Sequence, residues 1–206
     1  TSLRRAVASS AGCVLVVGPT GSGKTTTLYA LLREVDAVSR NVLTVEDPVE
    51  YRLPYVGQTQ IRSDIGDRSL TFARALRSIL RQDPDVVLVG EIRDTDTAKV
   101  AMEAAITGHL VLSTVHASSA PSAYTRLTEM GVPAYLVAEA LSIVVSQRLV
   151  RQVHECCTVG PPTPDEQAIL SRLGIEGVTQ VAHPVGCIGC AGNGFRGRIA
   201  VAEILA

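Results

Sequence analysis

The stretch "CVLVVGPTGSGKTTTLYALLREV" occupies residues 13–35 and holds three patterns in direct succession. Residues 13–17, "CVLVV", are a short apolar run that reads as a buried strand. Residues 24–35 carry Leu28, Leu31, Leu32 and Val35 at helical spacing. Between them "GPTGSGKT" (18–25) fits G-x-x-x-x-G-K-[ST] in full. Strand, loop and helix in that order are the context in which this motif cradles phosphate. Its glycines let backbone N–H groups converge on phosphate oxygens, and the helix N-terminus adds the positive end of a dipole. The expected nucleotide-binding residues are Pro19, Thr20, Gly21, Ser22, Gly23, Lys24, Thr25 and Thr26. Lys24 is expected to reach the β- and γ-phosphates, and the Thr25 hydroxyl to ligate Mg²⁺.

Outward from this motif, strands and helices alternate. "VLTV" (42–45), "VVLV" (86–89) and "LVLST" (110–114) read as strands, and 70–82 and 96–107 as helices. The 70–82 segment places Phe72, Leu76, Ile79 and Leu80 on one side. This alternation predicts an α/β fold with a mainly parallel sheet flanked by helices. Beyond residue 115, "PSAYTRLTEM" and "PAYLVAEALSIVVSQ" each open on a proline suited to a first helical turn, so helices are expected through 119–147. The stretch 151–194 is rich in Gly, Pro and Cys, with one helical pattern at 165–173. The expected organisation is a core over 1–150, a Cys-rich appendage over 151–194, and a return to the core at 195–206. The opening without methionine and the end inside the apolar run "VAEILA" suggest a piece of a longer protein.

The composition narrows the function. Of 206 residues, 46% are apolar and 19% charged, as in a folded domain. A net charge of −1 and 3% aromatics argue against a nucleic-acid partner. The most apolar stretch, "VPAYLVAEALSIVVS", is too short to span a membrane and carries Glu139. Five cysteines, with one C-x-x-C, point to a metal or redox role rather than a disulfide framework in an intracellular chain.

Candidate acids follow the apolar strands. In "DVVLVGEIRD" (85–94), Gly90 separates the strand from Glu91, which can hold Mg²⁺ through water or act as general base. "TVEDPVEY" (44–51) places Glu46, Asp47 and Glu50 at another strand end, where ligands of open α/β sheets bind. In "GHLVLSTVH", His109 and His116 flank a strand; seven residues apart, they fall on opposite faces, and His116 is better placed to reach phosphate. "GNGFRG" (192–197) fits a dinucleotide fingerprint but follows a cysteine loop and opens no helix, so no such site is expected there.

The segments "GPTGSGKTTTLYA", "LTVEDPVEY", "ILRQDPDVVLVGEIRD" and "TGHLVLSTVHA", in that order, closely resemble the secretion ATPase superfamily, specifically the type II secretion and type IV pilus assembly ATPases. They look like its Walker A motif, aspartate box, Walker B motif and histidine box. The resemblance implies a RecA-like P-loop core that hydrolyses ATP with Mg²⁺ in a homo-hexamer. It implies an inner-membrane platform protein as partner, and a cytoplasmic location peripheral to that membrane. It assigns Glu46 and Glu91 to water activation and metal, His109 and His116 to the histidine box, and Arg77 and Arg81 to nucleotide charge near a subunit interface. "RLVR" (148–151) sets a register against the family's zinc-binding insertion. That register gives His154, Cys157, Cys187 and Cys190 as a Cys₃His zinc set, with Cys156 able to replace Cys157. "IRSDIGDRS" (61–69) is a few residues longer than the family's usual link. The alternatives are a pilus retraction ATPase, which usually lacks the cysteine insertion, a DNA-translocating or conjugation-type NTPase, and a regulatory nucleotide-binding protein that does not hydrolyse.

Overall fold

The computed structural model describes residues 2–61 and 70–206. Of the long link at 61–69, all but Ile61 lies outside the described residues. The chain divides into two compact units, one built from the residues up to Arg148 together with Val201–Ala206, the other from Leu149–Ala200.

In the first unit, β1 (Gly12–Val17) is followed by α2 (Lys24–Glu34), β2 (Val42–Glu46), β3 (Val56–Gln60) and α3 (Phe72–Ile79). Then come β4 (Val86–Val89), α4 (Thr95–Ile106), β5 (Leu110–Val115), α5 (Ala120–Glu129), α6 (Ala134–Ala140) and β6 (Leu141–Val153). A short α1 (Ser2–Ala8) precedes β1, and β9 (Phe195–Leu205) closes the chain. The seven-stranded sheet runs in the order β3-β2-β4-β5-β1-β6-β9. The pairings of β1 with β5 and β6, of β2 with β3 and β4, and of β4 with β5 are parallel. Every residue of β1, β4 and β5 is buried. Strands covered on both faces read as near-continuous apolar runs rather than as an alternation, as β1 and β4 do; in β5 the buried Ser113 and Thr114 hydroxyls donate to Val89 O and Gly90 O.

Alternate residues of β1 feed two cores. Cys13, Leu15 and Val17 pack with α3, α4 and α6 residues such as Leu76, Met102 and Val137. Val14 and Val16 pack with Val7 of α1 and with Leu28, Leu31 and Leu32 of α2. Burial pushes the Cys13 thiol up to about 12, which makes it an inert core residue. Helix starts are fixed by side chains: Thr71 accepts from Arg74 N–H, Asp94 from Thr97 N–H, and Ser119 forms a capping box with Ser122.

One expectation is corrected. Helix does not continue through 147; α6 ends at Ala140, and Leu141–Val153 is a strand. Ile143, Val144 and Val145 are β-branched and pair with Val14, Leu15 and Val16 of β1. A continuous apolar run suits a doubly covered strand as well as a buried helix, and the free edge of β1 decides the matter.

The second unit holds a two-stranded antiparallel pair, β7 (Thr158–Gly160) with β8 (Val181–His183), and α7 (Pro164–Arg172). A 3₁₀ turn spans Ile188–Cys190. Only Cys190 and Gly194 of this unit are buried, so it has almost no apolar core.

Candidate functional site

The parallel register brings the functional side chains to one edge of the sheet. Val17 lies level with Val115 and Ser146, Val89 with Val45 and Ser113. The phosphate loop, Glu46, Glu91 and His116 therefore all follow strand C-termini along that edge, where open α/β sheets bind ligands.

The loop enters α2 through Gly23, whose left-handed φ of 86° is a conformation glycine adopts without strain. No side chain caps this helix start, so its first-turn N–H groups are left for a ligand. Thr25 and Thr26 are exposed on that first turn. Lys24 Nζ folds back to donate to the carbonyls of Gly18 and Pro19, each at 3.0 Å. Burial lowers the Lys24 ammonium from its ordinary value, and the charge of Glu91 opposes this. Ser22 Oγ is buried without a hydrogen-bond partner among the described residues. These features fit a phosphate group.

Gln147, on β6, is buried against the loop. Its Nε2 donates to Ser22 O at 2.6 Å and its Oε1 accepts from the Thr27 hydroxyl at 2.7 Å.

Glu91 is held at both oxygens. His116 Nε2 lies 2.8 Å from Oε1, and Arg93 Nη2 lies 2.7 Å from Oε2. Hydrogen bonding to Glu91 raises the Arg93 guanidinium above its ordinary value. The loop is pinned to its neighbours: Gly90 N–H donates to Val45 O, Ile92 N–H to Thr114 O, and the Thr114 hydroxyl to Gly90 O. Glu91, Arg93, His116 and Arg126 line a cleft of about 290 Å³ together with Ile92 and Val115.

Of the other expected residues, Glu46 shares this sheet edge but is enclosed, and the rest fall elsewhere. Glu46 is 3% exposed. Its carboxylate accepts from the Tyr29 hydroxyl, the Thr44 hydroxyl and Gln58 Nε2. Arg77 and Arg81 are exposed on α3 and the 3₁₀ turn after it (Leu80–Gln82), and neither lines the cleft. His109 is a correction: it precedes β5 whereas His116 follows it, and its Nδ1 lies 3.0 Å from Ala104 O at the end of α4. A six-residue strand separates the two histidines by about 20 Å, so only His116 meets the site.

The second unit gathers a separate cluster. The ligand atoms of His154, Cys156, Cys187 and Cys190 all lie within 4.8 Å of one another. The expected Cys157 is replaced by Cys156. Cys157 N–H closes a turn onto His154 O at 3.0 Å, and the residue inside that turn, Cys156, is the one beside His154, its N–H 3.2 Å from Nδ1. Sγ–Sγ distances are 3.7 Å for Cys156–Cys190 and 3.9 Å for Cys187–Cys190, and Cys187 Sγ lies 3.7 Å from His154 Nδ1. The edge of a tetrahedron with Zn–S bonds of about 2.3 Å is about 3.8 Å, so the set can hold zinc. Burial works to raise the Cys190 thiol. The N–H groups of Cys187 and Gly194 and the thiols of Cys156 and Cys187 outweigh it and bring the thiol to about 7. Cys156 is raised, by burial first.

Sequence reasoning passed over Arg93, Gln147 and the Tyr29–Gln58 pair around Glu46. Arg93 stands two residues from Glu91 and was open to a spacing argument. Gln147 lies 125 positions from Ser22, and no local pattern connects them.

A mainly parallel sheet with a phosphate loop after an interior strand and an acid after another strand defines a P-loop nucleotide-binding protein. The family model of type II/IV secretion system proteins matches residues 1–206, and the chain belongs to that family. It is 50% identical over 194 residues to the putative type II secretion system protein E of Escherichia coli (strain K12), covering 94% of this chain and 39% of that protein. It is 48% identical over 198 residues to the type IV pilus assembly ATPase PilB of Thermus thermophilus, covering 94% of this chain and 22% of that protein. Among solved structures it is similar to the pilus retraction motor PilT with bound ADP, at a TM-score of 0.67 and 31% identity, covering 84% of this chain and 56% of that one. The chain thus spans less than two thirds of each of these relatives. No described helix is long and apolar enough to cross a membrane.

Proposed function

We propose that this chain is the ATP-hydrolysing unit of an oligomeric motor that serves type II secretion or type IV pilus assembly. The observation that carries this reading is Glu91, fixed through both oxygens by His116 and Arg93 at the edge of a cleft, close enough to Lys24 for their charges to interact. The phosphate loop binds the nucleotide through its free N–H groups. Lys24 leaves the carbonyls of Gly18 and Pro19 to meet the β- and γ-phosphates. Thr25 and Glu91 would hold Mg²⁺, which would supply positive charge at the phosphates. Glu91 orients the attacking water, and His116 and Arg93 hold the carboxylate in that direction. Glu46, enclosed by Tyr29, Thr44 and Gln58, braces α2 against β2 and β3. Arg77 and Arg81, exposed in one copy, meet nucleotide charge from a neighbouring copy in a homo-hexamer.

In the second unit, Zn²⁺ held by His154, Cys156, Cys187 and Cys190 supplies the cross-link that its missing apolar core does not. The motor works at the cytoplasmic face of the inner membrane against a platform protein. The test is ATP turnover by the full chain carrying Lys24→Ala or Glu91→Gln. Each is expected to lose most of the activity, and undiminished turnover in both overturns the assignment.

A further inference from the structure

We propose that Gln147 is the positioning residue that sets the phosphate loop, an inference that rests on this loop binding nucleotide phosphate. Gln147 is 4% exposed, and both ends of its amide are engaged. Nε2 holds the Ser22 carbonyl at 2.6 Å, and the Thr27 hydroxyl donates to Oε1 at 2.7 Å. The Ser22 carbonyl can only accept, so it fixes which way round the amide sits: the N–H₂ end faces Ser22, and Oε1 takes the Thr27 hydroxyl.

The consequence follows from peptide geometry. A trans peptide points its C=O and N–H in opposite directions. Anchoring the Ser22 carbonyl to Gln147 therefore turns the Gly23 N–H away from β6. That N–H belongs to the uncapped start of α2, where an anion is accommodated. Gln147 also bounds the other end of the loop. A Cβ at Gly18 would stand 2.3 Å from the Gln147 carbonyl oxygen, so the loop's first residue is pressed against the same strand position. One residue of β6 thus sets the loop at its start, at its Ser22–Gly23 peptide and, through Thr27, at the first turn of α2. Gln147 does not line the cleft of Glu91, so its influence on the reaction passes through the loop.

The test uses the full chain and the fluorescent nucleotide mant-ADP. Gln147→Met keeps the volume and removes both hydrogen bonds. It is expected to weaken mant-ADP binding about 10- to 100-fold, because the Ser22 peptide loses its fixed direction. Gln147→Glu adds a readout that a packing role does not move. An ionised carboxylate faces the Ser22 carbonyl with an acceptor, whereas the protonated acid restores a donor there while still accepting from Thr27. Burial raises such a carboxyl, so binding by Gln147→Glu is expected to be weak at pH 8 and to recover toward the unsubstituted chain at pH 6. Ser22, Thr27 and Gly18, the groups against Gln147, do not titrate in that range, and the unsubstituted chain measured at both pH values corrects for the rest of the site. Wild-type affinity in Gln147→Met overturns the proposal. If that variant does not fold, a pH-independent weakness in Gln147→Glu overturns it instead. Failure of the unsubstituted chain to bind mant-ADP at all refutes the nucleotide-binding reading and is thereby distinguished from failure of the Gln147 role.

Discussion

Two glycines of the cysteine loop offer a matched pair of perturbations. Gly192 and Gly194 have φ of +77° and +74°. Alanine at either costs about 1–2 kcal/mol for the left-handed backbone alone. The surroundings differ. A Cβ at Gly192 meets nothing within 4 Å, whereas one at Gly194 lies 2.5 Å from Pro184 Cβ and 2.9 Å from Pro184 Cα. Carbon atoms rest at about 3.5–4.0 Å, so the backbone at 194 must retreat by about 1 Å. Two hydrogen bonds depend on that backbone: Gly194 N–H donates to Cys190 Sγ at 3.2 Å, and Gly194 O accepts from His154 N–H at 2.9 Å. Their loss costs about 1 kcal/mol for the neutral bond and about 1.5–3 kcal/mol for the one to a thiolate. Because the second unit has little core, its folding and its metal binding are largely one free energy. Gly192→Ala is therefore expected to weaken zinc binding about tenfold, and Gly194→Ala by a further factor of about 10² to 10³. Zinc titration of the full chain against a chromophoric chelator measures both. Equal affinities in the two variants would refute the reasoning, since only the contact with Pro184 and its two hydrogen bonds separates them.

Two further outcomes are expected. Cys156→Ser should lower zinc affinity much more than Cys157→Ser in the same titration; the reverse order would restore the spacing-based ligand set. Tyr29→Phe leaves a buried Glu46 oxygen without its donor, costing about 1–3 kcal/mol in a urea melt. The Tyr29 phenol is pushed up to about 12 from 10.0, by burial first and by the bond to Glu46 second. A group raised in the fold stabilises it fully below the unfolded value, so this contribution is present below pH 10 and disappears as pH climbs toward 12. Tyr29→Phe should lack that alkaline loss, and an unchanged alkaline profile would count against the Glu46 network.

What the sequence disclosed, and what it did not, has a physical pattern. The strands 13–17, 42–45, 86–89 and 110–114 and the phosphate loop were legible because a doubly covered parallel strand is largely apolar and the loop needs particular glycines. Glu91 and His116 were legible as candidates because residues just past strand ends line the edge where open α/β sheets bind ligands. The strand at 141–153 was not, because "LVAEALSIVVSQ" satisfies a buried helix equally well until β1 offers it an edge. Cys157 stood ahead of Cys156 because spacing alone does not say which residue a tight turn points inward. Glu46 was legible as an acid at a strand end, but not as one enclosed by Tyr29, Thr44 and Gln58, which come from three separate elements.

The sheet order also bears on how the chain is made. β1 precedes both of its sheet neighbours, β5 and β6, in the chain, so neither of its edges is paired until about a hundred residues more have been made. Through that interval "GCVLVV" is an apolar strand with both edges open, the kind of segment that captures other nascent chains. The phosphate loop it carries is made more than a hundred residues before the strand position that grips it, Gln147. Competence to bind nucleotide thus waits until the sheet has closed around β1.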